Sequence, residues 1–126
     1  MVTAEENKAV VGRYFQEFHD GREHAILEEI MSPDLLEGTR HVTEMLLSAF
    51  PDYRITIEDV MAEEDRVTAR VVMRGTHRGE FQGITPTGKR VEVRAIDMFR
   101  ISNGKIVEHW GYADDPRDFL RQSECS

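Results

Sequence analysis

Apolar residues change their spacing halfway along the chain. Up to Pro51 they recur at helical intervals, and beyond Tyr53 they alternate with polar residues as strands do. Val10, Val11, Tyr14, Phe15 and Phe18 fall on one helix face, behind Thr3 and Glu6 at capping-box spacing. Asp20 and Glu23 repeat that spacing before a second short apolar face, Ile26, Leu27, Ile30 and Met31, which Ser32-Pro33-Asp34 ends. A third helix is predicted from Thr39 as N-cap, with Val42, Met45, Leu46, Ala49 and Phe50 on one side and Pro51 as its stop. Tyr53, Ile55 and Ile57 then alternate with Arg54, Thr56 and Glu58. From Arg66 to Arg78 the alternation is regular: Val67, Ala69, Val71, Met73, Gly75 and His77 share one face. After the turn-rich stretch from Gly83 to Gly88, two more strands run from about Arg90 to Ser102 and from Lys105 to Asp114. Asn103-Gly104 between them is a two-residue hairpin signal, because both turn positions need positive φ. A short terminal helix near Pro116 to Arg121 completes the pattern. Helices followed by strands predict one α+β domain over residues 1–126, with helices on one face of a mostly antiparallel sheet.

The hairpin fixes a register. If Ser102 pairs with Lys105, regular counting sets Ile101 against Ile106, Phe99 against Glu108, Asp97 against Trp110, Ala95 against Tyr112 and Val93 against Asp114. All of these share the sheet face that the helices should cover. That face is otherwise apolar, yet it carries Asp97, Glu108 and Asp114, and the neighbouring strand adds His77. Burying an unpaired charge costs several kcal/mol. Such a cluster is therefore either hydrogen-bonded internally or opened by a cavity. A cavity lined by Trp110, Tyr112, Phe99, Met73 and Tyr14 is the usual form of a small-molecule site. Desolvation there would move the carboxylates toward neutrality, where they serve as general acids or bases. Each residue also has a plain structural reading. Asp97 can simply bond Trp110 or Tyr112, Glu108 can be solvated at a sheet edge, His77 can be a satisfied polar residue at a strand end, and Asp114 can cap the last helix.

Composition narrows the classes. The 126 residues carry 16 Lys+Arg against 24 Asp+Glu, a net charge of −8, which argues against nucleic-acid and anionic-membrane binding. Cys125 is the only cysteine, so neither a disulfide nor a cysteine metal site can form within one chain. The start of the chain has no basic stretch followed by an apolar run, and nothing approaches the roughly 20 apolar residues of a membrane span, so a cytoplasmic protein is expected. No His-Glu-x-x-His motif is present, and the register points His109 away from Asp97, so no metal site is expected. The stretch from Gly83 to Gly88 lacks the Lys-Ser/Thr and helix start of a phosphate loop. Arg70, Arg74, Arg78, Arg94 and Arg100 share the outer sheet face with Ile96, Met98, Val107 and Ala113. A face of that kind suggests pairing of the arginines with acids and a homodimer through the sheet.

Several motifs taken together are familiar: Phe50-Pro51-Asp52, the run from Gly75 to Phe81, the run from Gly83 to Lys89, Ile96-Asp97-Met98-Phe99-Arg100-Ile101, and the run from Asn103 to Trp110. From about Phe50 to Asp114 the chain resembles the SnoaL-like polyketide (ester) cyclases of the nuclear transport factor 2-like superfamily. The resemblance implies a cone-shaped α+β barrel, with helices over a curved antiparallel sheet, an internal pocket and dimers. It also implies ring closure by intramolecular aldol condensation of a small hydrophobic carbonyl substrate, without metal or cofactor. In such cyclases an aspartate on the last strand is the acid/base, and Asp114 is its match here, with Asp97 and His77 as further polar groups of the pocket. Two other readings stay open on the same fold: a ketosteroid-isomerase-like or hydrolytic proton-transfer enzyme, and a non-catalytic protein that binds a small ligand.

Overall fold

A computed structural model of the chain describes residues 3–117 and residue 120. Helix α1 spans Ala4–Arg13, and the Thr3 hydroxyl accepts the Glu6 N–H at 3.1 Å as its cap. The helix does not stop at Arg13 but widens into a π-helical stretch, Tyr14–Asp20. A 3-10 turn over His24–Ile26 leads into the short α2, Leu27–Ile30. Helix α3 runs Pro33–Ala49. It begins about two turns before the expected Thr39: Ser32 is the N-cap, and Pro33 holds the first helical position, where its missing N–H costs nothing. Asp20 caps no helix; its carboxylate accepts the Ile55 N–H at 2.6 Å and ties the end of the π stretch to the sheet.

Strands β1 (Arg54–Glu63), β2 (Arg66–Thr76), β3 (Arg90–Ser102) and β4 (Lys105–Ala113) form one antiparallel sheet in the order β1-β2-β3-β4. Three helices pack on one side of this curved sheet, which makes an α+β fold. The core lies between them. It joins Val11, Phe15 and Phe18 of the first helix to Leu27, Ile30, Phe50 and Tyr53, and to Val67, Val71, Met73, Val93 and Phe99 of the sheet. Pro116, Arg117 and Leu120 are helical, and Leu120 is buried in that core; Arg121 and Cys125 lie outside the described residues.

The hairpin turn is as expected, with Asn103 at φ 52° and Gly104 at φ 78°, and Ser102 pairs with Lys105 and Ile101 with Ile106. Regular counting then fails. A bulge inserts Val107 into β4, so Arg100 pairs with Glu108, Phe99 with His109, Met98 with Trp110, Asp97 with Gly111 and Ile96 with Tyr112. Because side chains alternate between faces, one extra residue turns the remainder of β4 over. Glu108, Trp110, Tyr112 and Asp114 therefore sit on the outer face, and His109 is on the inner one beside Asp97. Trp110 is 40% exposed and Tyr112 79%. The reason lies in the pairs themselves. The shifted register sets Arg100 against Glu108 and Arg94 against Asp114, whereas the regular one would bury three carboxylates against apolar partners.

Candidate active site

Two elements bring the ionisable groups together. The first is the π stretch. In a regular α-helix Tyr14 and His19 would lie about 140° apart around the axis. Bonding from residue i to i+5, as in Gly21 N–H to the Gln16 carbonyl at 2.9 Å, widens the turn and largely closes that gap. The two rings meet edge to face, with centroids 4.7 Å apart. The second element is the bulged β4, which sends His109 inward. Its ring stacks on Phe99 at 4.5 Å and 12°, and Tyr14 lies edge-on to it at 5.7 Å.

Between these rings and α3 lies a cavity of about 390 Å³, lined by Tyr14, His19 and His109 below and by Asp34, Leu35, Gly38, Thr39, Val42 and Thr43 of the helix above. Helix α3 buries only Thr43 and Ala49 completely, while Leu35, Met45 and Leu46 are partly covered and Val42 stays 48% exposed. Such a roof leaves apolar side-chain surface open beside the cavity. A larger depression of about 830 Å³ runs along the outer flank of α3 from Pro33 to Glu44. It shares only Asp34 and Gly38 with the cavity and touches none of the three rings, so the ionisable rings face the smaller space alone.

His109 and Asp97 form a dyad. The imidazole Nε2 lies 2.9 Å from the Asp97 Oδ1, with the two side chains 25% and 15% exposed. A carboxylate only accepts, so Nε2 carries the hydrogen, and in the neutral ring Nδ1 keeps its lone pair. Gly111, directly across from Asp97, makes this possible. A Cβ there would stand 2.6 Å from Oδ1, closer than such contacts ever come. On the other side of Tyr14, the His19 Nδ1 is 2.9 Å from the Tyr53 hydroxyl. Burial foremost, with Arg22, His109 and His24 nearby, pulls the His19 pKa from 6.5 down to about 3. Its ring is therefore neutral at physiological pH. Burial and the Asp97 charge hold the Tyr14 phenol well above its ordinary range. Among the described residues no group of three or more His, Cys, Asp and Glu converges as metal ligands would.

The expected site residues divide between places. Asp97 and Tyr14 join this site, and Phe99 supports it from beneath. Met73 is core, paired with Ile55 and Val93 further down the sheet. His77 is fully buried at the far end, roughly 25 Å along β2 from the residue opposite Asp97. There its Nδ1 meets the Thr87 N–H at 3.1 Å and its ring packs against Phe50, so it does not converge with the aspartates. Asp114 is on the outer face with its carboxylate 3.3 Å from the Arg94 Nε, Glu108 pairs there with Arg100, and Trp110 and Tyr112 point away from the cavity. His19, His109, Gly111 and Tyr53 were not anticipated. The signal for His109 lay in cross-strand charge complementarity. His19 sits at the rim of the helical stripe and needs the π geometry to come in.

No described helix is long and apolar enough to cross a membrane. The fold has close counterparts among solved structures. AclR, a proposed hydroxylase from Streptomyces galilaeus, superposes with a TM-score of 0.84 at 30% identity, covering 97% of this chain and 98% of that one. IdmH, a proposed polyketide cyclase from Streptomyces antibioticus, gives 0.81 at 28% identity, covering 93% and 98%. Aklanonic acid methyl ester cyclase AcmA of Streptomyces galilaeus is 38% identical over 60 residues, a match that spans 46% of this chain and only 42% of that protein. The family model described as SnoaL-like polyketide cyclase matches residues 6–122. On that match, nearly the whole length of the sequence, the chain belongs to the SnoaL-like polyketide cyclase family.

Proposed function

We propose that the protein closes a ring in a small hydrophobic carbonyl compound, with the His109–Asp97 dyad as acid and base. The observation that carries this reading is the dyad at 2.9 Å, with His109 on the wall of a cavity that Tyr14, Leu35 and Val42 also line. The Nδ1 of His109 takes a proton from a carbon flanked by carbonyl groups. Asp97 stabilises the imidazolium that results and holds the ring in one tautomer. The enolate carbon attacks a second carbonyl of the same molecule, a carbon–carbon bond forms, and the new alkoxide takes the proton back from His109. Atoms and charge balance without a co-reactant, and no cofactor enters the scheme. Leu35, Val42 and Tyr14 would hold the apolar skeleton.

Aklanonic acid methyl ester, the compound in the name of AcmA, is the first substrate to try. Ring closure followed by chromatography and mass spectrometry should give a product of unchanged mass and new retention. Replacing His109 by Gln should cost at least about 10²-fold in kcat. Turnover equal to wild type in that variant would remove the dyad from the mechanism. The 30% identity with AclR supports a second reading, hydroxylation, which would need dioxygen and a two-electron reductant added to the assay and whose product would be heavier by one oxygen atom. A hydrolase would add water, an isomerase would leave mass unchanged without a new ring, and a ligand-binding protein would return the compound intact.

We also propose a homodimer through the outer sheet face. Ile96, Met98, Trp110 and Tyr112 form an exposed apolar patch there, at 48%, 39%, 40% and 79% exposure. Arg70–Glu58, Arg94–Asp114 and Arg100–Glu108 pairs share this face, which suits a polar rim.

A further inference from the structure

We propose that His19 is a fixed hydrogen-bond donor to the oxygen that becomes negative during ring closure, and that Tyr53 sets the tautomer that makes it one. The inference rests on the reading that proton transfer occurs in this cavity. It starts from the Tyr53 hydroxyl, which belongs to a residue with no exposed surface and has the His19 Nδ1 as its hydrogen-bond partner at 2.9 Å. If Nδ1 donated to the phenol oxygen, the phenol's own hydrogen would be buried with no acceptor, at a cost that folded proteins rarely carry. Tyr53 therefore donates, Nδ1 accepts, and the hydrogen of His19 resides on Nε2. That nitrogen has no protein partner among the described residues, and the ring lines the cavity.

The arrangement is held from outside. The Arg22 guanidinium lies 4.0 Å above the Tyr53 ring and donates to the carbonyls of His19 and Tyr53. It ties the two residues to each other. Burial raises the Tyr53 phenol's pKa, which keeps its hydrogen in place, and holds the imidazole of His19 neutral. A neutral ring donates without surrendering its proton, which suits an enolate that must stay nucleophilic. Tyr14 separates the two histidines, with ring centroids 4.7 Å from His19 and 5.7 Å from His109. A carbonyl compound lying across Tyr14 would present its acidic carbon to His109 and its oxygen to His19.

The first test needs no substitution. Nitrogen-15 imidazole spectra of the intact protein should give His19 a protonated Nε2 and a bare Nδ1. The reverse pattern would overturn the proposal. In the ring-closure assay, His19→Phe should lower kcat by about 10²-fold with KM changed little, the size of loss typical for one oxyanion donor. His19→Gln, which keeps an N–H, should recover much of it. Tyr53→Phe should lower kcat less, and should add nothing when combined with His19→Phe. Folded His19→Phe with wild-type kcat, alongside an inactive His109→Gln, would sink the donor role and leave the dyad standing. Wild-type turnover in both variants would remove the dyad reading as well.

Discussion

At the scale of single residues, what a position lacks can matter as much as what it carries. Gly111 has no Cβ, and the space that atom would fill is occupied by the Asp97 carboxylate. Gly111→Ala should push Asp97 off His109. Because displacements of about 1 Å can cost on the order of 10²-fold, kcat should fall at least tenfold while the melting temperature changes little. A fully active alanine variant would mean that the dyad tolerates rearrangement. His19 makes a second prediction, about stability. The unfolded chain binds a proton at that ring near pH 6.5 and the folded one only near 3. Its contribution is therefore complete above pH 6.5 and is lost as pH falls toward 3, by about 1.4 kcal/mol per pH unit. Urea midpoints taken between pH 7 and 4.5 should fall more steeply for wild type than for His19→Gln. Parallel curves would show that His19 titrates as freely when folded as when unfolded. Asp97, Phe99 and Tyr14 could be read as inward-facing from alternation and helical spacing alone. Gly111 could not, since a glycine gives no sign of which neighbour needs its space.

At the scale of elements, one inserted residue decides which chemistry is available. Val107 has no partner on β3, and past it every side chain of β4 has changed face. Deleting Val107 should close the bulge and leave Arg100 opposite Glu108, Phe99 opposite His109 and Asp97 opposite Gly111 in a regular ladder. The variant should therefore keep the His109–Asp97 pair, and its nitrogen-15 imidazole spectra should show the His109 Nε2 protonated as in wild type. Loss of that signal in a folded deletion variant would show that the bulge itself, and not the pairing beyond it, sets the faces of β4. The hairpin itself was legible, because Asn103-Gly104 permits few geometries. The bulge was legible only indirectly. Regular counting opposes Asp97 to Trp110 and Phe99 to Glu108, while a slip of one matches Arg100 with Glu108 and Arg94 with Asp114, and that complementarity outweighs the simpler count. In the helical half, Ser32-Pro33-Asp34 reads equally well as a stop or a start, and here it opens α3. The π stretch is invisible to a period of 3.6 residues, which is why His19 was passed over.

At the scale of the whole molecule, the sheet separates two tasks. Its inner face meets the helices around the core and the cavity, and its outer face collects charge pairs and exposed aromatic residues. Replacing Ile96 and Tyr112 together by Glu should convert a dimer to a monomer in sedimentation velocity, without loss of secondary structure. An unchanged sedimentation coefficient would place any partner elsewhere. The α+β class followed from the order of periodicities, since a chain that is helical first and alternating afterwards has few ways to bury both faces. Which ionisable groups of β4 face the cavity did not follow, because that depends on a single bulge. The comparison of Asp97→Asn with Asp114→Asn in the ring-closure assay bears on this most directly. Asp97→Asn should lose at least about 10²-fold in kcat while Asp114→Asn, on the far side of the sheet, keeps wild-type turnover. The opposite ranking would put the acid/base on the outer face and contradict the assignment of the dyad.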